Sequence, residues 1–414
     1  MLSIIARVLL ARNLSSEGLG LYMMVLPTLG LCLTLTQMGL PSAVFKLTAD
    51  KNYNNKKVII TSLSISLLNS IIMVGIIFSS ASFIANNLLN SKDSLLAIYC
   101  IALFIPLAST NNLFRNYLLG QEKTIVPGFS QIIEEIVRII VMLLLFLNFR
   151  SIPLALRVAH AFLAMIAGEI ASSLFIVFFS NFKNKARGLL DSKITKMFLY
   201  KDIFSISLPV TGGQLLGSIS NFLQPVILTY CMTALNFNSE FIKQQYGIIN
   251  GYVISMLLIP SFINNVIYRI ILPRFTKLIA DKQIKKVRSE FIKTILICLF
   301  MGTPFSLLFY FAPEFCLKLF YSSVEGAEIL KYAALPFIVF YIQTPISALL
   351  HAFSKNKVLL IISIIQCLLD IILLFILIPH YGVLSILIAL LISLITTAIL
   401  SGFTTYYYLF LQEK

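Results

Sequence analysis

The chain has 414 residues, 58% of them hydrophobic and 12% charged, and its 32 Lys and Arg against 17 Asp and Glu give a formal net charge of +15. A mean hydropathy of +0.93 is more apolar surface than a water-soluble core of ordinary composition hides, so the composition excludes a soluble globular protein and makes lipid the solvent. The basic excess does not point to nucleic acid, because it is distributed as the loops of a multi-pass membrane protein distribute it.

Crossing about 30 Å of hydrocarbon takes roughly twenty apolar residues in a helix, the conformation that satisfies its own backbone polar groups. Apolar runs of this kind occur at 1–12 (partial), 19–45, 58–80, 95–114, 126–148 and 152–180, then at 203–232, 245–268, 291–312, 327–351, 358–379 and 382–410. The expected fold is all-α and polytopic, with about twelve transmembrane helices. The residues before Asn13 supply only roughly 18 Å of helix, so the first helix reads as truncated and an upstream start is an expectation. The N-terminal stretch is interrupted by Arg7 and lacks a small-residue cleavage site, so no cleavable signal is expected.

The chain repeats itself. Leu40-Pro41 with Lys46-Leu47-Thr48-Ala49-Asp50 recurs as Leu272-Pro273 with Lys277-Leu278-Ile279-Ala280-Asp281. Nearly the same offset pairs Pro106 with Pro336, and Arg138-Ile139-Ile140 with Asp370-Ile371-Ile372. A duplicated six-helix unit inserts both copies in the same direction, which predicts two lobes related by a pseudo-twofold axis along the membrane normal with a cleft between them. The expected domains are an N-terminal lobe at 1–182, a basic cytoplasmic linker at 183–201 and a C-terminal lobe at 202–414.

One set of alternate loops holds most of the Lys and Arg, from Lys46, Lys56, Lys57, Arg115 and Lys123 to the basic stretches 183–201 and 269–293 and the pair Lys355 and Lys357. The opposite loops hold Arg12, Lys92, Arg150, Lys243, Lys318 and Lys331. The positive-inside rule then places both termini in the cytoplasm and the protein in the cell membrane, its basic loops against anionic headgroups. The six cysteines have no CxxC spacing, and His160, His351 and His380 stand alone, so no metal or other cofactor is expected.

A charge at mid-bilayer costs about 2.5–3.5 kcal/mol on insertion scales, so the few retained there carry information. In the fifth run Ser130, Glu134 and Arg138 recur at i, i+4 and i+8 on one face, with Gln131 and Glu135 alongside, an arrangement suited to a polar cleft or to a Glu134–Arg138 ion pair. Glu169 lies among small residues, with burial against Arg157 or Arg138 the structural alternative to a coupling role. Asp370 is the repeat equivalent of Arg138 and invites pairing across a closed cleft. The seventh run mixes Pro209, Gly212, Gly213 and Pro225 with Gln214, Ser218 and Asn221, which predicts irregular backbone lining water or headgroups. Asn250 and Arg269 follow in the eighth run, and Asn111, Asn112 and Arg115 end the fourth. The arginines near the cytoplasmic face suit phosphate or lipid headgroups.

The segment from Arg7-Val8-Leu9-Leu10-Ala11-Arg12-Asn13-Leu14 through Ser15-Ser16-Glu17-Gly18-Leu19-Gly20-Leu21-Tyr22 resembles the opening of the stage V sporulation protein B family, of the multidrug/oligosaccharidyl-lipid/polysaccharide flippase superfamily. Leu40-Pro41 with Lys46-Leu47, Gly120-Gln121, Ser130 to Arg138, and Leu208-Pro209-Val210-Thr211 with Gly217-Ser218 extend the resemblance over most of the chain. It implies two six-helix lobes, alternating access and a lipid-linked oligosaccharide or peptidoglycan precursor as cargo, with Arg7 as the first-helix counterpart of cavity arginines in related lipid II flippases. Members usually begin with a complete first helix, and many carry two more helices after the twelfth.

The resulting expectation is a flippase, not an enzyme, whose partners are a polyprenyl-linked glycan, membrane lipids and a coupling ion of unknown identity. Rival readings are a cation-coupled multidrug exporter of the same superfamily and a non-transporting partner in envelope or spore assembly. A membrane enzyme on the same lipids is disfavoured by short outer loops that offer no catalytic segment.

Overall fold

A computed structural model describes residues 2–50, 52–148, 152–179 and 196–411. Among these residues the chain is helical throughout, without strands. Seven helical stretches are long and apolar enough to cross a bilayer, or nine when two sharply bent pairs each count as one span. One of the seven, Asn356–Leu409, itself contains two helices.

The chain divides into two compact units, Leu2–Tyr230 and a second beginning at Cys231. In the first, α1 (Leu2–Asn13) packs on α6 (Ile125–Asn148), while α5 (Ser94–Gly120) is flanked by α2 (Ser16–Gln37), α3 (Leu40–Ala49), α4 (Asn55–Phe83) and α7 (Leu154–Phe179). The expected run 19–45 is two helices. Met38 and Gly39 both adopt the left-handed conformation, with φ of 44° and 65°, and Pro41 starts α3. The break exposes carbonyls inside an apolar unit, and Asn69 of α4 donates its amide to Thr36 O at 3.3 Å. Glycine is required at position 39 twice over, since a Cβ there would also lie 2.5 Å from Ser207 O.

The long α8 (Lys196–Ala234) is the chain's passage between the units. Residues 183–195 of the expected linker lie outside the described residues. Leu199 and Ile203 of α8 are buried against Leu40, Val44, Leu47, Val58 and Leu113, and Tyr53 O–H donates to Asp202 Oδ2 at 2.9 Å. The irregular backbone expected around Pro209 and Pro225 is not found, because α8 runs continuously through both. Proline fixes a helical φ and removes one donor, which a long helix absorbs.

In the second unit the expected run 245–268 is a bent pair. Its first arm is α9 (Ser239–Tyr246), continued by wide turns over Gly247–Ile254 and by α10 (Ser255–Leu257), and it meets α11 (Ser261–Ala280) at 45° beside Pro260. Following α12 (Ile284–Phe311) and α13 (Pro313–Tyr321), α14 (Ala327–Ala334) and α15 (Ile338–Ala352) form a second bend of 48° at Pro336. Its repeat partner Pro106 sits inside unbroken α5, so the repeats share their prolines but not their bends. α15 packs on α11, α12 and α17 (Ser385–Tyr406), and α16 (Asn356–Tyr381) on α17. Close approach of α12 and α15 depends on Gly302, where a Cβ would run into the Tyr341 ring.

Candidate functional site

The polar groups of the first unit gather where α5, α6 and α7 meet. α7 approaches α6 closely because Gly168 faces it: a Cβ there would lie 2.7 Å from Glu134 O. The hub is Arg115, which is 6% exposed. Its Nη2 donates to Glu134 Oε2 and to Ser172 Oγ, each at 2.6 Å, and its Nε donates to Ser130 Oγ at 3.1 Å. Four side chains from three helices thus form one charge-neutral cluster, and Ser130 Oγ donates its own hydrogen bond to Pro127 O at 2.8 Å. Arg115 is therefore not the cytoplasmic loop charge the sequence suggested, because α5 continues to Gly120 and carries it inside the bundle.

Beside this cluster lies Glu169, 5% exposed. Asn111 Nδ2 donates to its Oε2 at 2.5 Å and to its backbone O at 2.9 Å, while Ser173 Oγ donates to Asn111 Oδ1 at 2.7 Å. In place of the structural alternative, burial against Arg157 or Arg138, Glu169 has an amide contact. An amide supplies a hydrogen bond without a countercharge, so this buried carboxylate lacks the direct ion pair that Glu134 has.

The alternative Glu134–Arg138 ion pair does not form either. Glu134 turns to Arg115, and Arg138 pairs with Glu135 one turn before it. This second pair is more open, with side chains 19% and 21% exposed. Arg7, exposed on α1, lies within electrostatic reach of Glu135, and the Tyr22 phenol senses Arg138, Arg7 and Glu135 together. Two guanidinium groups and one carboxylate leave this half of the site with a net positive charge. Gln131, beside the ion pair on α6, is exposed.

The other residues singled out by sequence are not drawn into this cluster. Gln214 and Asn221 are exposed on α8, whose Ser218 meets Thr34 of α2 through a 2.7 Å hydroxyl contact. In the second unit, Arg269 is exposed on α11, and Asn250 lies in the wide-turn segment with a buried Nδ2 that has no hydrogen-bond partner. Asp370 of α16 is half-buried, with Ser393 of α17 in hydrogen-bonding reach of its carboxyl group. Nearby, Gln343 Nε2 of α15 donates to Thr397 Oγ1 at 2.6 Å and to Leu394 O at 3.1 Å. Among the described residues no group of three or more His, Cys, Asp or Glu could hold a metal ion.

Residues 1–279 match the family model described as polysaccharide biosynthesis protein, and residues 271–376 match the MatE model. Stage V sporulation protein B of Bacillus subtilis (strain 168) is 29% identical over 421 residues, an alignment covering 98% of this chain and 80% of that protein. Two solved structures share the fold. The inward-facing conformation of a multidrug resistance MATE family transporter of the MOP superfamily superposes with a TM-score of 0.75 at 16% identity, over 99% of this chain and 94% of that one. The inward closed conformation of lipid II flippase MurJ gives 0.72 at 16% identity, over 97% and 84%. The architecture is accordingly the twelve-helix, two-lobe transporter arrangement of these neighbours.

Proposed function

The chain belongs to the polysaccharide biosynthesis protein family, within the MOP superfamily of multi-pass membrane transporters, and from that premise we propose that it carries a lipid-linked oligosaccharide or peptidoglycan precursor across the cytoplasmic membrane by alternating access. The observation that supports this cargo is the partly exposed Arg138–Glu135 pair with Arg7 nearby. A guanidinium held at mid-bilayer costs about 2.5–3.5 kcal/mol, which an anionic headgroup offsets by supplying phosphate oxygens. A pyrophosphate exchanges with Glu135 for Arg138, and the polyprenyl tail stays in lipid beside the lobes.

In this reading both termini are cytoplasmic. Gln131, Gln214 and Asn221, exposed in the first unit, offer amides to sugar hydroxyls. Glu134 is held by Arg115 and serves the scaffold along with Ser130. Glu169 and Asp370, with neutral hydrogen-bond partners, are the carboxylates suited to a coupling ion or proton. No bond of the cargo is made or broken, so the protein is a transporter and not an enzyme.

The test is flipping of a fluorescent polyprenyl-pyrophosphate oligosaccharide in proteoliposomes, where Arg138→Ala is expected to lower the rate at least tenfold while the protein stays folded. A multidrug exporter is the second reading, favoured by the fold of the MATE neighbour. It predicts cation-driven efflux of an organic cation with no flipping of the glycolipid.

A further inference from the structure

The turn joining α11 to α12 is crowded with cations, and the structure divides them into two groups. Arg274 and Lys293 share Glu290, at 3.1 and 3.6 Å. Arg288 is occupied with Leu409, donating from Nε at 2.8 Å and from Nη2 at 2.5 Å to its carbonyl oxygen. Lys277, Lys282, Lys285 and Lys286 are all exposed and have no ion pair among the described residues. The first turn of α12 contains no acidic residue, so the positive end of the helix dipole adds to the lysine charge. The repeat-equivalent turn between α3 and α4 differs: there Tyr53 bonds Asp202.

Its position determines what neutralises this surface. α12 is one of the seven apolar spanning stretches, and Ile292, Leu296 and Phe300 on it are 52%, 59% and 76% exposed. At 1.5 Å per residue, Lys285 stands about 10 Å along the helix from Ile292, roughly the distance from a phospholipid phosphate to its upper acyl chain. A ligand meeting both features needs a negative headgroup and an apolar tail. We propose that Lys277, Lys282, Lys285 and Lys286 form a binding surface for the phosphate of an anionic phospholipid, whose chains lie along the Ile292–Phe300 face of α12.

The protein contains no Trp, so Ile292→Trp gives a single fluorophore facing the proposed acyl chains. The variant is reconstituted in vesicles in which either phosphatidylglycerol or phosphatidylcholine carries acyl-chain bromines, and quenching by the two lipids is compared. A juxtamembrane lysine is worth roughly fivefold in affinity for an anionic surface. Quenching by brominated phosphatidylglycerol is therefore expected to exceed that by brominated phosphatidylcholine at least fivefold in relative association. The preference should fall to near unity when the four lysines are replaced by Gln. Unchanged phosphatidylcholine quenching in that variant shows the reporter still in lipid. Equal quenching by both lipids in the native hairpin, or a preference that survives the four substitutions, overturns the proposal. So does loss of the preference on adding millimolar inorganic phosphate, which identifies the ligand as the free ion.

Discussion

Replacing Arg115 by Met separates the scaffold of the first unit from its cargo-facing half. The substitution keeps a long apolar stem and removes three hydrogen bonds. Ser130 keeps its bond to Pro127 O, but Glu134, whose side chain is only 17% exposed, loses its countercharge. Removing one partner of a buried ion pair costs about 3–5 kcal/mol, and the partial exposure of Glu134 puts the expected loss near the lower end, at about 3 kcal/mol. Units of 150–250 residues lose roughly 2–4 °C of Tm per kcal/mol, so the first unit should melt about 6–12 °C lower. Adding Glu134→Gln removes the stranded charge and should recover most of the loss, leaving about 1 kcal/mol. The assay is thermal unfolding in detergent, followed through a thiol-reactive dye on the buried cysteines. A single variant as stable as the native protein, or a double variant no better than the single, refutes the assignment of Arg115 as the electrostatic hub.

Arg138→Met should lose less stability: its pair with Glu135 is 19% and 21% exposed against 8% and 17% for Arg115–Glu134, so the loss is expected below that of Arg115→Met, at about 1–2 kcal/mol in the same melt, while glycolipid flipping falls at least tenfold. Gly302→Ala places a methyl group against the Tyr341 ring and should destabilise the second unit by about 1–3 kcal/mol, with Tyr341→Leu in the same chain restoring part of the loss. Gly39→Ala combines a left-handed φ with a 2.5 Å approach to Ser207 O and should cost more than about 1 kcal/mol. Asp370→Asn keeps the contact with Ser393 but removes the charge, so it should leave Tm within about 2 °C of the native value and abolish any dependence of transport on the ion gradient.

The helices were legible in the sequence because lipid imposes the same demand on every span: apolar length and internally satisfied backbone. The two bends beside Pro260 and Pro336 and the break at Met38–Gly39 were not, since Pro106, Pro209 and Pro225 sit within continuous helices. Whether a proline bends its helix depends on what packs against the freed carbonyls, which spacing does not encode. Of the stripe Ser130, Glu134 and Arg138, the first two share Arg115 as partner while Arg138 turns to Glu135, partners that the spacing did not show. Glu134 is drawn from the neighbouring Arg138 by Arg115, whose guanidinium reaches Glu134, Ser130 and Ser172 at once. Arg115 was counted among loop charges only because the apolar run ends at residue 114 while α5 extends to Gly120. A fully partnered arginine is compatible with a helix interior, and that partnership is tertiary. Asn111 offered the available signal, a polar residue one turn before Arg115 on the same face.

The central claim is tested most directly by reconstituting the protein in liposomes with a fluorescent polyprenyl-pyrophosphate oligosaccharide and measuring its exposure to an impermeant quencher over time. The account predicts flipping by the native chain, loss of at least tenfold with Arg138→Ala at a smaller fall in Tm than Arg115→Met shows, and retention of flipping in the Arg115→Met/Glu134→Gln double variant. Flipping that is insensitive to Arg138→Ala, or efflux of an organic cation with no movement of the glycolipid, contradicts it.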